Sequence, residues 1–193
     1  MVSRSTLKLL IDELNKHQII WGIEGSYLLQ IYELYSEPQD LDIWVQPCDI
    51  QKIRDIFKNY CEIESNLPLP SNLHFKMQYH DIEVDFVACF IVKPNQYSFK
   101  YNINSNRIKK ITLKNGLEVP CTFLEDWYII YKLLKRDDKA ELIHELFKKK
   151  KININDEAIR IAVNNSDNTL PIQVKKDAFK LIEDNIQLSI FDE

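Results

Sequence analysis

Apolar residues recur along the chain with two different periods, and each change of period marks an element boundary. Leu7, Leu10, Ile11 and Leu14 follow the helical period behind Ser5, a candidate cap, and predict a first helix ending near Lys16-His17. His17 there reads as a favourable partial charge at the helix C-terminus. A β-branched run through Ile19, Ile20 and Ile23 predicts a strand that Gly25-Ser26 interrupt. Leu28, Leu29 and Ile31 then fit one face of a short helix, and Leu41, Ile43 and Val45 alternate with Asp40 and Asp42 as a second strand. Ile53, Ile56 and Phe57 give the segment 50–60 the apolar face of an amphipathic helix crossing back over the sheet.

Leu67-Pro68-Leu69-Pro70-Ser71 reads as a loop, because each proline removes a donor and restrains its neighbour. Alternation resumes at Phe75–Tyr79, turns at His80-Asp81 and continues through Ile82–Val87, the pattern of an antiparallel hairpin. From 97 to 107, asparagines and tyrosines without clear period predict a long loop or irregular strand. A second hairpin is expected over 108–119, with Asn115-Gly116 supplying the positive φ angles and Pro120 ending it. Thr122 followed by Glu125 reads as a capping box for a helix through Trp127, Ile130, Tyr131 and Leu134. Two more helices are predicted, over 156–163 and about 172–186.

Side-chain alternation has a chemical consequence on two of these strands. Asp40 and Asp42 project to one face while Leu41, Ile43 and Val45 point to the core. Likewise Ile82, Val84 and Phe86 face inward, leaving Asp81, Glu83 and Asp85 together on the opposite side. Paired carboxylates repel unless a cation sits between them, so Asp-x-Asp behind a Gly-Ser turn suits Mg²⁺ with phosphate oxygens on backbone N–H groups. Solvated aspartates in a turn and on an edge strand are the competing account of the same residues. His74 and His80 flank the hairpin and are placed to touch a substrate or simply to be solvated.

Composition narrows the context. At 193 residues and 45% hydrophobic content the chain can bury one sizeable core, read here as a single α/β unit over 1–120 with a C-terminal helical part over 121–193 packed on it. The sequence has no uninterrupted apolar stretch of about 18 residues and begins with an amphipathic helix, so a cytoplasmic protein is expected. Cys48, Cys61, Cys89 and Cys121 are too dispersed for a zinc site and read as reduced and mostly buried. A net charge of -4 argues against non-specific nucleic-acid binding by the bulk surface.

Taken together, Gly25-Ser26, a spacer of thirteen residues, Asp40-Leu41-Asp42-Ile43 and the later Val84-Asp85-Phe86 resemble the signature of the nucleotidyltransferase superfamily with the DNA polymerase β-like fold. The small lincosamide-type antibiotic nucleotidyltransferases and the abortive-infection toxin nucleotidyltransferases look most similar, and the antibiotic enzymes carry an acidic residue where Glu24 stands. The resemblance implies a short mixed β-sheet flanked by helices with C-terminal helices. It further implies that Asp40, Asp42 and Asp85 hold catalytic Mg²⁺, that Gly25 and Ser26 bind the phosphates of a nucleoside triphosphate, and that Asp85 helps deprotonate a hydroxyl acceptor. Leu124-Glu125-Asp126, then Lys132 or Lys135, then Asp138-Lys139-Ala140-Glu141-Leu142 loosely continue it, with Lys132 as the implied nucleotide contact; a solvated lysine fits that position equally. One departure stands out: Ser36-Glu37-Pro38-Gln39 offers no Arg or Lys ahead of Asp40.

The implied activity is transfer of a nucleoside monophosphate from a triphosphate to a hydroxyl on a small molecule, an RNA or a protein. The alternative is a non-catalytic module of the same fold acting as an antitoxin or scaffold. Lys148 to Lys151 read as cations closing a helix. Gln187-Leu188-Ser189-Ile190-Phe191 resembles the short peptide that grips the sliding clamp when extended, though it better suits the end of the last helix covering its own core.

Overall fold

In a computed structural model that describes residues 3–64, 73–88, 90–93, 95–149 and 152–190, the chain is α/β and built on a mixed seven-stranded sheet. The proline-rich stretch 67–71, expected as a loop, and Cys89, Lys150, Lys151 and Phe191 lie outside the described residues. The chain folds into two compact units, Met1–Phe90 with Asn102–Thr122, and Ile91–Tyr101 with Phe123–Glu193.

The first unit opens with α1 (Arg4–Lys16), whose Leu7, Leu10, Ile11 and Leu14 are buried as their spacing predicts. Its cap is Ser3, whose hydroxyl accepts from Thr6 N, in place of the expected Ser5. Trp21 Nε1 donates to Asn15 Oδ1 and fastens that helix to β1 (Trp21–Ile23). Next come α2 (Gly25–Ile31), β2 (Leu41–Val45) and α3 (Ile50–Ile56), which is shorter than the 50–60 segment expected. The remaining strands are β3 (Cys61–Glu62), β4 (His74–Tyr79) and β5 (Ile82–Ala88), then, beyond the other unit's insertion, β8 (Lys109–Thr112) and β9 (Glu118–Cys121).

Strand order is β3-β4-β5-β2-β1-β9-β8. β2 and β5 run parallel at the centre, while β1 pairs with β2 and β4 with β5 antiparallel. One face is the apolar one. There Phe57, just beyond α3, stacks on Phe86 at 5.9 Å and meets Tyr79 edge-on at 5.6 Å, and Phe75 stacks on Phe86 at 6.0 Å. Each such buried ring contributes about 2–3 kcal/mol of apolar burial, enough to fix which face of β4 and β5 turns inward.

The second unit contains β6 (Phe90–Val92, whose first residue belongs to the other unit), its partner β7 (Phe99–Tyr101), and α4 (Leu124–Leu133), α5 (Asp137–Lys148), α6 (Asp156–Asn164) and α7 (Ile172–Ile190). The stretch 97–107, expected as a long loop or irregular strand, carries the short strand β7. Asn168, at 8% exposure, explains it: its Oδ1 accepts from Lys100 N and its Nδ2 donates to Ala162 O, while Ser98 and Thr169 bridge.

Other local expectations are corrected. Thr122 donates to Ile23 O and Glu125 accepts from Asn155 N, while Phe123, one place after the expected Thr122, stands at the N-terminal boundary of α4. Pro120 lies inside β9, opposite Lys110. At the second hairpin turn Gly116 is in the left-handed region with φ +80°, and Asn115 is not; its side chain accepts from Leu117 N. Cys48 and Cys61 are exposed, and of the described cysteines Cys121 is buried, its thiol pushed up to about 12 by desolvation. Residues 187–190 of the clamp-like segment continue α7 as helix. No helix among the described residues is long and apolar enough to cross a membrane.

Candidate active site

The candidate chemistry lies on the sheet face opposite the Phe57–Phe86 stack, entirely within the first unit. Register brings it together. The parallel β2–β5 pairing sets Asp42 opposite Asp85, and the antiparallel β4–β5 pairing sets Lys76 opposite Asp85. On the other side Glu24 N donates to Asp42 O at 3.0 Å, extending the β1–β2 ladder by one residue. Glu24, Asp42, Asp85 and Lys76 thus form one lateral row across four strands, and laterally paired side chains share a face.

Asp40 sits at the bend before β2, one pleat away, where the same register would set it beside Glu83. Lys76 reaches both, with Nζ 2.7 Å from Glu83 Oε2 and 3.8 Å from Asp40 Oδ2. Burial opposes the charge on Lys76, but the hydrogen bond to Glu83 and the pull of Glu83, Asp40 and Asp85 outweigh it and hold its pKa above the usual lysine value. Asp81, expected beside Glu83 and Asp85, belongs instead to the hairpin turn and accepts from Thr6 Oγ1.

Asp85 is 5% exposed and His74 7%, and His74 Nε2 donates to Asp85 Oδ1. The histidine is itself anchored, since Arg54 Nη2 donates to His74 O at 2.7 Å while the guanidinium lies over the Phe75 ring. His80 occupies the turn against Tyr60 and Tyr79, apart from the row.

Gly25 opens α2 with φ +61°, and a Cβ placed there would stand 2.6 Å from Asp42 Oδ2. Backbone conformation and space both demand glycine at this point. Ser26 follows, half-buried, in the first turn of α2, where N–H groups have no partner within the helix. Glu24, at 3% exposure, keeps Oε2 without a hydrogen bond. Desolvation by burial raises its pKa well above the ordinary carboxyl value, and the charges of Asp42, Asp85 and Asp40 raise it further.

A divalent cation is tested by this donor set. Carboxylate oxygens on one face, one of them buried without a partner, fit a hard oxygen-seeking ion, and its charge would relieve the repulsion that presses on Glu24. Yet among the described residues no three His, Cys, Asp or Glu side chains stand together in a geometry already able to hold an ion. The reason is visible in the pairings: Asp85 is turned onto His74, and Asp40 leans to Lys76.

Of the residues named from sequence, Gly25, Ser26, Asp40, Asp42 and Asp85 lie in this one unit. Lys132 belongs to the other unit, where its ammonium sits between Asp137 and Asp177. Lys76 escaped the sequence reading. Its signal was there as a polar position alternating with Phe75 and Met77 directly across the hairpin from Asp85, legible once the Tyr79–Ile82 turn fixes the register.

No family model matches the sequence, and no curated protein matches it. Solved structures do. The antibiotic-resistance factor ANT(2″)-Ia in complex with adenylyl-2″-tobramycin superposes with a TM-score of 0.51 at 10% identity, over 77% of this chain and 92% of its own. A candidate nucleotidyltransferase from Thermotoga maritima superposes with a TM-score of 0.50 at 18% identity, over 78% of this chain and 97% of its own. A lincosamide antibiotic adenylyltransferase bound to lincomycin gives 0.49 at 10% identity, over 74% and 96%. The chain has the nucleotidyltransferase fold, and at these identities the likeness speaks to fold alone.

Proposed function

We propose that the protein is a nucleotidyltransferase that moves a nucleoside monophosphate from a nucleoside triphosphate to a hydroxyl acceptor. The observation that carries this reading is the register of Asp42 against Asp85 on parallel central strands, with Gly25 packed on the Asp42 carboxylate. In this reading Asp40, Asp42 and Asp85 hold Mg²⁺, and Gly25 and Ser26 receive phosphate oxygens on their backbone N–H groups. The ion, when bound, would supply charge for the departing pyrophosphate and lower the acceptor's pKa.

The remaining work falls to the chain. The acceptor oxygen bonds to the α-phosphorus as the bond to the β-phosphate oxygen breaks, and pyrophosphate leaves with that electron pair. Asp85 takes the acceptor proton, and His74 holds its carboxylate in place meanwhile. Lys132, paired with two carboxylates in the second unit, is not needed for this account.

The test is incubation with labelled nucleoside triphosphates, Mg²⁺ and a cell extract. Asp42→Asn should abolish labelling while leaving the melting transition in place; full activity in that variant ends the proposal. Growth arrest on expression would point to RNA or protein as acceptor, and its absence to a small hydroxylated molecule.

A second reading, a non-catalytic module acting as an antitoxin or scaffold, draws on the pairing of Asp85 with His74 and Asp40 with Lys76. Mg²⁺-dependent nucleotide binding in a calorimeter would count against it.

A further inference from the structure

The ammonium of Lys76 has a tight partner and a loose one: Glu83 at 2.7 Å and Asp40 at 3.8 Å. Both contacts are on the carboxylate face, and the lysine side chain is 17% exposed. Nothing in Ser36-Glu37-Pro38-Gln39 brings a positive charge to Asp40; the charge arrives from β4. Beyond it in the same row, Glu24 Oε2 is buried without a partner, beside Asp42 and Asp85. Among the described residues, the face thus has the Lys76 ammonium at one end and a buried, unpartnered carboxylate oxygen at the other.

We propose that Lys76 is the resident counter-cation of this face, holding Asp40 in the ion-free protein and yielding it to a divalent cation on entry. This rests on the preceding reading that the face takes such an ion. The geometry makes the exchange cheap for the lysine. Because Glu83 already holds the ammonium at hydrogen-bond distance, releasing Asp40 costs it the weaker of two contacts and leaves no buried unpaired charge. Asp40 then turns toward Asp42, two residues along the same face, while the ammonium stays on Glu83 as a fixed positive charge bordering the ion. Lys76 accordingly acts through Asp40 as a positioning residue and opposes ion binding by competition.

Mn²⁺ titration of the full chain by calorimetry tests this, with Asp42→Asn as the control that assigns binding to this face. Lys76→Met should bind Mn²⁺ on the order of tenfold more tightly, the effect of removing a nearby unit charge that solvent screens only in part. Lys58→Met, which removes the same charge from an exposed position in the same unit, should leave the affinity unchanged. Damage to the fold would weaken binding, so tighter binding is not a result a merely structural role produces. Unchanged or weaker affinity in Lys76→Met overturns the inference, as does equal tightening in Lys58→Met. If Lys76→Met does not melt cooperatively, Lys76→Gln takes its place under the same two outcomes. Wild-type protein that takes no Mn²⁺ sensitive to Asp42→Asn would remove both this inference and the metal-dependent reading; binding that ignores Lys76 would remove this inference alone.

Discussion

A Cβ at Gly25 would lie 2.6 Å from the Asp42 carboxylate oxygen Oδ2, so the turn that opens α2 and the central aspartate of β2 are shaped around each other. Atoms at that separation cannot coexist without a shift, and here the atom that must move belongs to the proposed site.

Gly25→Ala therefore combines two penalties. The left-handed backbone costs about 1–2 kcal/mol for a residue with a Cβ, and Asp42 is displaced besides. Gly116→Ala is the matched control, since it has φ +80° with nothing within 4 Å of the added carbon. Urea denaturation should show the backbone loss in both and a larger total loss in Gly25→Ala, whereas nucleotidyl transfer should fall sharply in Gly25→Ala alone. Equal activity in the two variants would show that Asp42 tolerates the intrusion.

Glu24 gives a pH signature. Its folded pKa is raised, chiefly by burial and then by Asp42, Asp85 and Asp40, so the folded chain binds this proton more tightly than the unfolded chain. The associated stability is complete below the unfolded value of about 4.3 and is lost as pH rises through the folded pKa. Glu24→Gln cannot ionise. It should melt roughly several degrees above wild type near pH 7, with the gap closing below about pH 4. A gap that is constant across this range would mean Glu24 is not the titrating group.

His74 and Asp85 are both nearly inaccessible, and the imidazole is the donor that meets the carboxylate. His74→Ala leaves that carboxylate buried without it, which should cost on the order of 3 kcal/mol in a urea titration at neutral pH. His74→Ala with Asp85→Asn should recover part of the loss, because a neutral amide is cheaper to bury unpaired than a charge. Identical losses in the single and double variants would show that the pair is not coupled.

The local periods in the sequence determined most of the elements and the faces they bury. Leu7, Leu10, Ile11 and Leu14 mark α1, and the alternation through Leu41–Val45 and Ile82–Val87 marks β2 and β5 with Asp42 and Asp85 on their polar sides, because period alone decides which way a side chain points. Turn chemistry was less legible: Thr122 and Glu125 suit a local motif, yet Thr122 also donates to Ile23 O and Glu125 also accepts from Asn155 N, distant partners that no local window contains. The strand at Phe99–Tyr101 was one of two readings its stretch allowed; besides pairing with β6 it is held at Lys100 N by Asn168 and beside Ser98 by Thr169, residues outside any local window.

The lateral assembly of the candidate site was decided by tertiary structure. Which strands are neighbours and in what register, and hence that Glu24, Asp42, Asp85 and Lys76 share one row, follows from pairing between segments far apart in the chain. Between β4 and β5 the stacking of Phe75 on Phe86, with Phe57 on the other side of Phe86, favours the register on the apolar side. A sequence can say that a carboxylate points away from the core; the long-range packing of the core says which other charge it will meet there.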